Sequence, residues 1–359
     1  MNKKKVLAVH LPAFHEIPEN DEWWGKGFTE WTNVKSGRPL YKGHYQPIKP
    51  YNNNYYDLSK IDDLRHQVDL ANKYDIYGFI FYHYWFGNGR MLFEKPAEML
   101  LQNTDINIHY CFSWANQTWL TTWHGMQPKT LLEQKYPGKT DWEKHFNYWK
   151  SFFLDKRYIK VLNKPMLFIY NPSEIPNYDE MITYFDNKCK ELGFDGIYVV
   201  EYIFPRNPKL FSQKSSAVYE FEPRYSLFFD ISKFNLFKRF IVKKLKQPDY
   251  QSYDKIWKYI LNRKRLYGSK TIISGCFSGW DNSSRNGKNS IIVRGKTVEK
   301  FQKYFNLFYH STRKNISDEY CVINAWNEWS EGAYLEPDDK DKYAYLQAIK
   351  SVMKYENQR

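Results

Sequence analysis

The chain has 359 residues, 42% of them hydrophobic, with 17 Gly and 16 Pro, which excludes a disordered or fibrous polymer and allows a sizeable buried core. Its formal charge of +13 suits an anionic partner, yet the Lys and Arg residues are spread along the chain with no zinc-finger or RNP-like signature, so nucleic acid is not expected. Aromatic residues reach 19%, including 13 Trp and 31 Tyr, a load that serves either a bulky core or the flat apolar faces that bind sugar rings.

In chain order, short β-rich runs alternate with amphipathic stretches, the pattern of a parallel sheet with crossover helices. The runs are Val6 to Leu11, Tyr77 to Tyr82, His109 to Trp114, Pro165 to Tyr170, Gly196 to Tyr202, Ala217 to Glu220, Thr271 to Phe277 and Cys321 to Ala325. Helical spacing covers Ile61 to Tyr74, Trp142 to Leu154, Tyr178 to Leu192, Tyr253 to Leu266 and Val298 to His310. Eight such repeats predict an α/β fold, a single (β/α)8 TIM barrel over residues 1–359, because α/β barrels exceed 250 residues as one unit.

Two insertions break the alternation and are expected to form long rim loops, after strands one and six. The first, Glu16 to Asn54, contains Trp23, Trp24, Glu30 and Trp31, enough aromatic surface to wall a cleft or to staple the loop to the barrel. The second, Pro223 to Gln247, carries KFNLFKRFIVKKLK, with six basic residues and no acidic one. That segment reads as a barrel helix with a basic face, or as a peripheral contact with an anionic membrane through residues 233–246.

The basic MNKKK start leads into VLAVHLPAFH, whose apolar run is too short and too broken for a signal peptide, and no run of about 18 apolar residues follows. The expected location is therefore cytoplasmic, at the inner face of a bacterial membrane if the basic segment docks there. Cys111, Cys189, Cys276 and Cys321 have no Cys-x-x-Cys spacing and read as buried thiols. The histidines show no zinc spacing, and no Gly-x-Gly-x-x-Gly or Walker loop occurs, so neither a metal nor a cofactor is expected.

In a barrel of this kind the strand C-termini carry function. They supply His10, then Tyr82, His83, Tyr84 and Trp85, then Trp114, Asn116, Gln117 and Trp119. Later strands supply Glu201 and Tyr202, Glu220 and Glu222, and Trp280, Asp281, Asn282 and Arg285. Strand eight ends in NAWNEWSEG, where Glu328 and Glu331 stand three residues apart among Trp326, Trp329 and Gly332. In one turn both carboxyls face one side, and unequal surroundings let one act as an acid while the other is a base or nucleophile, which is the requirement for glycosidic cleavage. His10, Trp24, Glu30, Trp31, Tyr82, His83, Trp85, Trp114, Asn116, Trp119, Glu201, Trp280, Asp281, Arg285, Asn327 and Trp329 are the expected substrate-binding residues.

Taken in order, HLPAFHEIPENDEWWGKGFTEWTNV, GHYQP, IYGFIFYHYWF, SWANQTW, KPMLFIY, GWDNSSR and NAWNEWSEGAYLEPD resemble glycoside hydrolase family 99-like proteins of the WbsX type, associated with bacterial surface-polysaccharide biosynthesis. The resemblance covers most of the chain and implies a (β/α)8 barrel. In the family 99 endo-α-mannosidases an Asn-Glu-Trp-x-Glu-Gly motif carries both acids, and Asn327 to Gly332 match it residue for residue. It implies retention of configuration through participation of the sugar 2-hydroxyl, with Glu328 drawing that proton and Glu331 protonating the leaving oxygen. Gln117 stands where relatives often have Glu, His124 where Asp is usual and Ala13 where Gln is common, so a different sugar specificity is expected. The expected function is a retaining glycoside hydrolase or transglycosylase acting on an O-antigen, a capsule or a lipid-linked precursor. The alternatives are a glycosyltransferase of lipopolysaccharide or capsule biosynthesis and a non-catalytic glycan-binding barrel.

Overall fold

The computed structural model describes residues 3–121, 129–203 and 212–354; His124 lies outside the described residues. Eight parallel strands form the centre: β1 (Lys5–His10), β2 (Gly78–Trp85), β3 (His109–Trp114), β4 (Lys164–Ile169), β5 (Tyr198–Tyr202), β6 (Ala217–Tyr219), β7 (Thr271–Phe277) and β8 (Ile316–Asn324). Each pairs with the next. The barrel closes where β1 pairs with β8, Val6 opposite Cys321 and Leu7 opposite Val322. Their continuous apolar runs follow from burial on two faces, by the barrel interior and by the helices outside.

Two short helices, α1 (Pro18–Trp24) and α2 (Glu30–Ser36), build the first rim loop. The outer layer includes α3 (Ile61–Lys73), α4 (Lys95–Gln102), α5 (Lys139–Leu154) and α6 (Tyr178–Glu191). The second rim loop folds as a single π turn, Ser226–Asp230, and then α7 (Lys233–Lys244). Beyond it come α8 (Tyr253–Asn262), the short α9 (Ser283–Asn286), α10 (Val298–Tyr309) and α11 (Ala344–Lys354). Among the described residues no helix is long and apolar enough to cross a membrane. All four cysteines are free and buried.

One expected helix is too long. The periodic run from Tyr253 was read to Leu266, but α8 stops at Asn262 and Arg263 is extended, with φ −65° and ψ 129°. The reason is electrostatic: the Arg263 guanidinium turns into a buried nest, donating to Glu220 Oε2 at 3.0 Å, Glu222 Oε1 at 2.6 Å and Ser226 Oγ at 2.9 Å, above the Tyr225 ring. A buried cation needs several anionic partners, and a continued helix would carry this one elsewhere. Glu220 and Glu222, which the sequence places at the functional rim, are held here.

Much of the aromatic load is core. Trp114, Trp149, Trp257, Trp326 and Trp329 are fully enclosed.

Candidate active site

Beyond β8 the chain makes a tight hairpin in which Asn327 and Glu328 pair antiparallel with Tyr334 and Ala333, closed by one 3-10 turn, Trp329–Glu331. Gly332 ends the turn with φ +61°, and a β-carbon there would lie 2.9 Å from the Asp281 nitrogen, so both the backbone conformation and the close approach require glycine. The hairpin is fixed from behind. Asn327 is a two-way clamp on the end of β1, its Oδ1 accepting from Leu11 N at 2.7 Å and its Nδ2 donating to Leu11 O at 2.9 Å. Trp329 stacks on Tyr334 and donates its indole N–H to Glu336 at 2.6 Å.

Glu336 also accepts from Tyr56 at 2.8 Å and from Gln67 at 2.7 Å, and Gln67 in turn meets His10 at 2.9 Å. Burial lifts the Glu336 carboxyl to about 7 even though these donors pull it down. His10, expected at the substrate, therefore belongs to a buried support for the hairpin.

The result is a pair of carboxyls, Glu328 and Glu331, whose side chains are 8% and 23% exposed. Arg285, delivered by α9 from the loop after β7, lies between them and Glu30. It donates to Glu331 at 2.9 Å, to Glu30 Oε1 at 2.9 and 2.6 Å, and stands 3.7 Å from Glu328. Ser330 also donates to Glu30. Burial and the adjacent Glu331 charge raise Glu328 well above the ordinary carboxylate value, with Arg285 offsetting part of that rise. Glu331 is raised too, by burial first, against the pull of Arg285. The two titrate as a pair, because the charge of one disfavours ionisation of the other.

Arg285 is itself braced. Asp281 donates its backbone N–H to Glu331 O at 2.6 Å and accepts from His44 at 2.6 Å, Gln46 at 3.0 Å and Ser283 N at 3.0 Å. Burial alone would raise the Asp281 carboxyl, but these donors outweigh it and hold it below its ordinary value. The GHYQP segment thus serves as a clamp for the Arg285 loop.

Above the pair opens a cleft of about 480 Å³, within the range usual for ligand sites. Of the expected residues, Trp24, Glu30, Tyr82, Trp119, Trp280, Arg285, Glu328 and Glu331 line it. Leu11, Ala13, Tyr84, Gln117 and Asn282 join them, together with Tyr170, Phe221, Arg224 and Phe228, which the sequence did not single out.

The other expected residues lie elsewhere. His83 and Trp85 point outward from β2: His83 Nε2 meets His145 Nε2 of α5 at 2.8 Å, and Trp85 donates to Asp141. Alternation along a strand explains this, since Tyr82 and Tyr84 take the inner positions. Trp114 is enclosed and donates to Trp85 O, while Asn116 bridges Tyr136 and Asn171. Trp31 staples the first rim loop by donating to Tyr56 O at 2.8 Å. Glu201 is fully covered, raised by burial to about 7 beside Tyr178 and Lys270. Asn327, Trp329 and Asp281 support the cleft from behind.

Comparison with solved structures places this architecture. A glycoside hydrolase-like protein superimposes with a TM-score of 0.60 at 14% identity, covering 98% of this chain and 94% of its own. A family 99 endo-α-mannosidase from Bacteroides thetaiotaomicron gives 0.54 at 13% identity, over 98% and 96%. The fold is that of a glycoside hydrolase-like (β/α)8 barrel. The family described as Glycosyltransferase WbsX matches residues 6–349, and the chain belongs to that family. WxcX of Xanthomonas campestris pv. campestris, from strains ATCC 33913 and B100, is 30% identical over 352 residues, 97% of this chain. The match covers 49% of WxcX, so this chain spans about half the length of those relatives.

Proposed function

We propose that this protein is a carbohydrate-active enzyme, one barrel over residues 1–359, that cleaves or transfers glycosidic bonds of a bacterial surface polysaccharide or its lipid-linked precursor with retention of configuration. The observation that carries the reading is the Glu328–Glu331 pair, one carboxyl buried and the other partly open, tied together through Arg285 beneath an aromatic cleft. Trp24, Trp119 and Trp280 offer apolar faces to sugar rings, while Tyr82, Tyr84 and Gln117 offer hydroxyl partners. Bound sugar displaces water there, which strengthens each charge at the reacting bond.

In this reading Glu328 is the base that takes a sugar hydroxyl proton, the role that the Asn-Glu-Trp-x-Glu-Gly resemblance implies for it. Glu331, more open to the cleft, donates a proton to the departing oxygen. Arg285, bonded to Glu331 and 3.7 Å from Glu328, offsets part of the rise of both. The work is placed at the cytoplasmic face of a membrane, with residues 233–246 in contact with it.

Glu328→Gln and Glu331→Gln distinguish the roles on aryl glycosides. Both variants should stay folded and lose turnover on poor leaving groups. Glu331→Gln should regain rate on an activated nitrophenolate, which leaves without a proton, and Glu328→Gln should not. Recovery by Glu328→Gln alone would exchange the roles, and full activity of both variants would overturn the proposal.

The family description favours a second reading, transfer of sugar from an activated donor. It differs by requiring a nucleotide sugar.

A further inference from the structure

Large exposed apolar side chains gather on one element. Phe234, Leu236, Phe237, Phe240, Ile241 and Leu245 all lie on or at the end of α7, with Phe234 76%, Phe237 61% and Leu245 66% exposed, and no side chain described on that helix is buried. Such a cluster on a soluble surface marks a contact site. The half-covered residues of α7 are Asn235, Arg239 and Val242, spaced i, i+4, i+7, so they mark the stripe that faces the barrel. At 100° per residue, Phe237, Phe240 and Lys244 fall on the opposite side, flanked by Phe234 and Ile241.

Charge identifies the occupant. From Ile231 to Pro248 there is no acidic residue, and Lys238, Lys243, Lys244 and Lys246 are exposed among the apolar groups. A protein partner with an acidic groove would have to match both lysines and phenylalanines in one register. A lipid surface meets both at once, since anionic headgroups take the lysines and the acyl boundary takes the rings. The helix is also joined to the cleft. Arg239 pairs with Asp249, donates to Leu227 O and lies 4.7 Å over the Phe228 ring, and both Leu227 and Phe228 line the cleft beside Arg224.

We infer that α7 is an interfacial helix that inserts Phe234, Phe237, Phe240 and Ile241 into an anionic lipid surface and brings the rim formed by Arg224, Leu227 and Phe228 to that surface. The enzyme then takes its glycan from a carrier held in the membrane. This last step rests on the proposed glycan activity, whereas the lipid contact does not.

The test is co-sedimentation of the 359-residue protein with vesicles of equal parts phosphatidylglycerol and phosphatidylcholine, beside vesicles of phosphatidylcholine alone. The wild type should pellet with the first and stay in solution with the second. Joint replacement Lys238→Glu, Lys243→Glu and Lys244→Glu should weaken binding on the order of a hundredfold. Joint replacement Phe234→Ser, Phe237→Ser and Phe240→Ser should weaken it by about tenfold or more. These side chains are exposed, so unchanged melting curves should accompany both losses. Wild-type protein that stays in solution with anionic vesicles overturns the inference, as does undiminished binding by either variant. Light scattering that shows a dimer dissociated by the serine variant assigns the face to a second copy instead. None of these readouts involves turnover, so the inference and the proposed activity fail separately.

Discussion

Replacing Arg285 by leucine removes the guanidinium that Glu30, Glu331 and Glu328 share. Arg285 makes three hydrogen bonds of 2.6 to 2.9 Å to the first two and stands 3.7 Å from the third, with its side chain 14% exposed. Stripping one partner from a buried ion pair costs about 3–5 kcal/mol when the other charge remains. The carboxyls can escape that cost by taking up protons, so the loss must depend on pH. Glu328 and Glu331 are already raised in the folded protein by burial, against an ordinary value near 4.5, and without the cation they rise further. Groups raised on folding contribute stability that is complete below the unfolded value and is lost as pH rises through the folded one. Urea unfolding of Arg285→Leu should therefore show the loss of about 3–5 kcal/mol at pH 8 and no more than about half of it at pH 5. Equal losses at both values would mean that Arg285 acts by packing alone, and the electrostatic account of the cleft would be refuted.

Glu336 gives a second pH test. Its folded value of about 7 against 4.5 makes its contribution complete below pH 4.5 and lost as pH rises through 7. Glu336→Gln should flatten that part of the stability profile at little cost at pH 8, since Gln67 can flip its amide and His10 can change tautomer to keep the chain bonded. Glu336→Ala leaves the Trp329, Tyr56 and Gln67 donors unmatched at about 1–3 kcal/mol each, so thermal melts should separate the two variants clearly; equal melting would contradict the support role. The tryptophans of the first rim loop divide in the same way. Trp24→Ala should raise KM for a glycan about tenfold with a small change in melting. Trp31→Ala should cost about 3–5 kcal/mol of stability, and the reverse ranking would show that wall and staple have been exchanged.

How much of this could be read from the chain depends on which physics set each feature. The strands were legible because a strand covered on two faces is mostly apolar, and β3 and β7 begin and end where the sequence places them. The paired glutamates were legible because their spacing and flanking tryptophans lie within six residues. Which strand-end aromatics reach the cleft was not, because Tyr82, His83, Tyr84 and Trp85 are similar in kind and only the phase of the strand sends the two tyrosines inward. Asp281 meets His44 across 237 residues, so the meaning of GHYQP exists only in three dimensions. Arg224 and Phe228 give no local signal for the same reason, since the π turn that brings them to the rim is not marked by any residue pattern.

The central claim is that the Glu328–Glu331 pair acts on a glycosidic bond without a nucleotide donor. Purified protein, incubated with surface polysaccharide, its lipid-linked precursors and a panel of aryl glycosides, should release or transfer sugar unaided, and Glu331→Gln should not do so on substrates with poor leaving groups. Sugar transfer that appears only when nucleotide sugars are added, at equal rates in the wild type and Glu331→Gln, would contradict it.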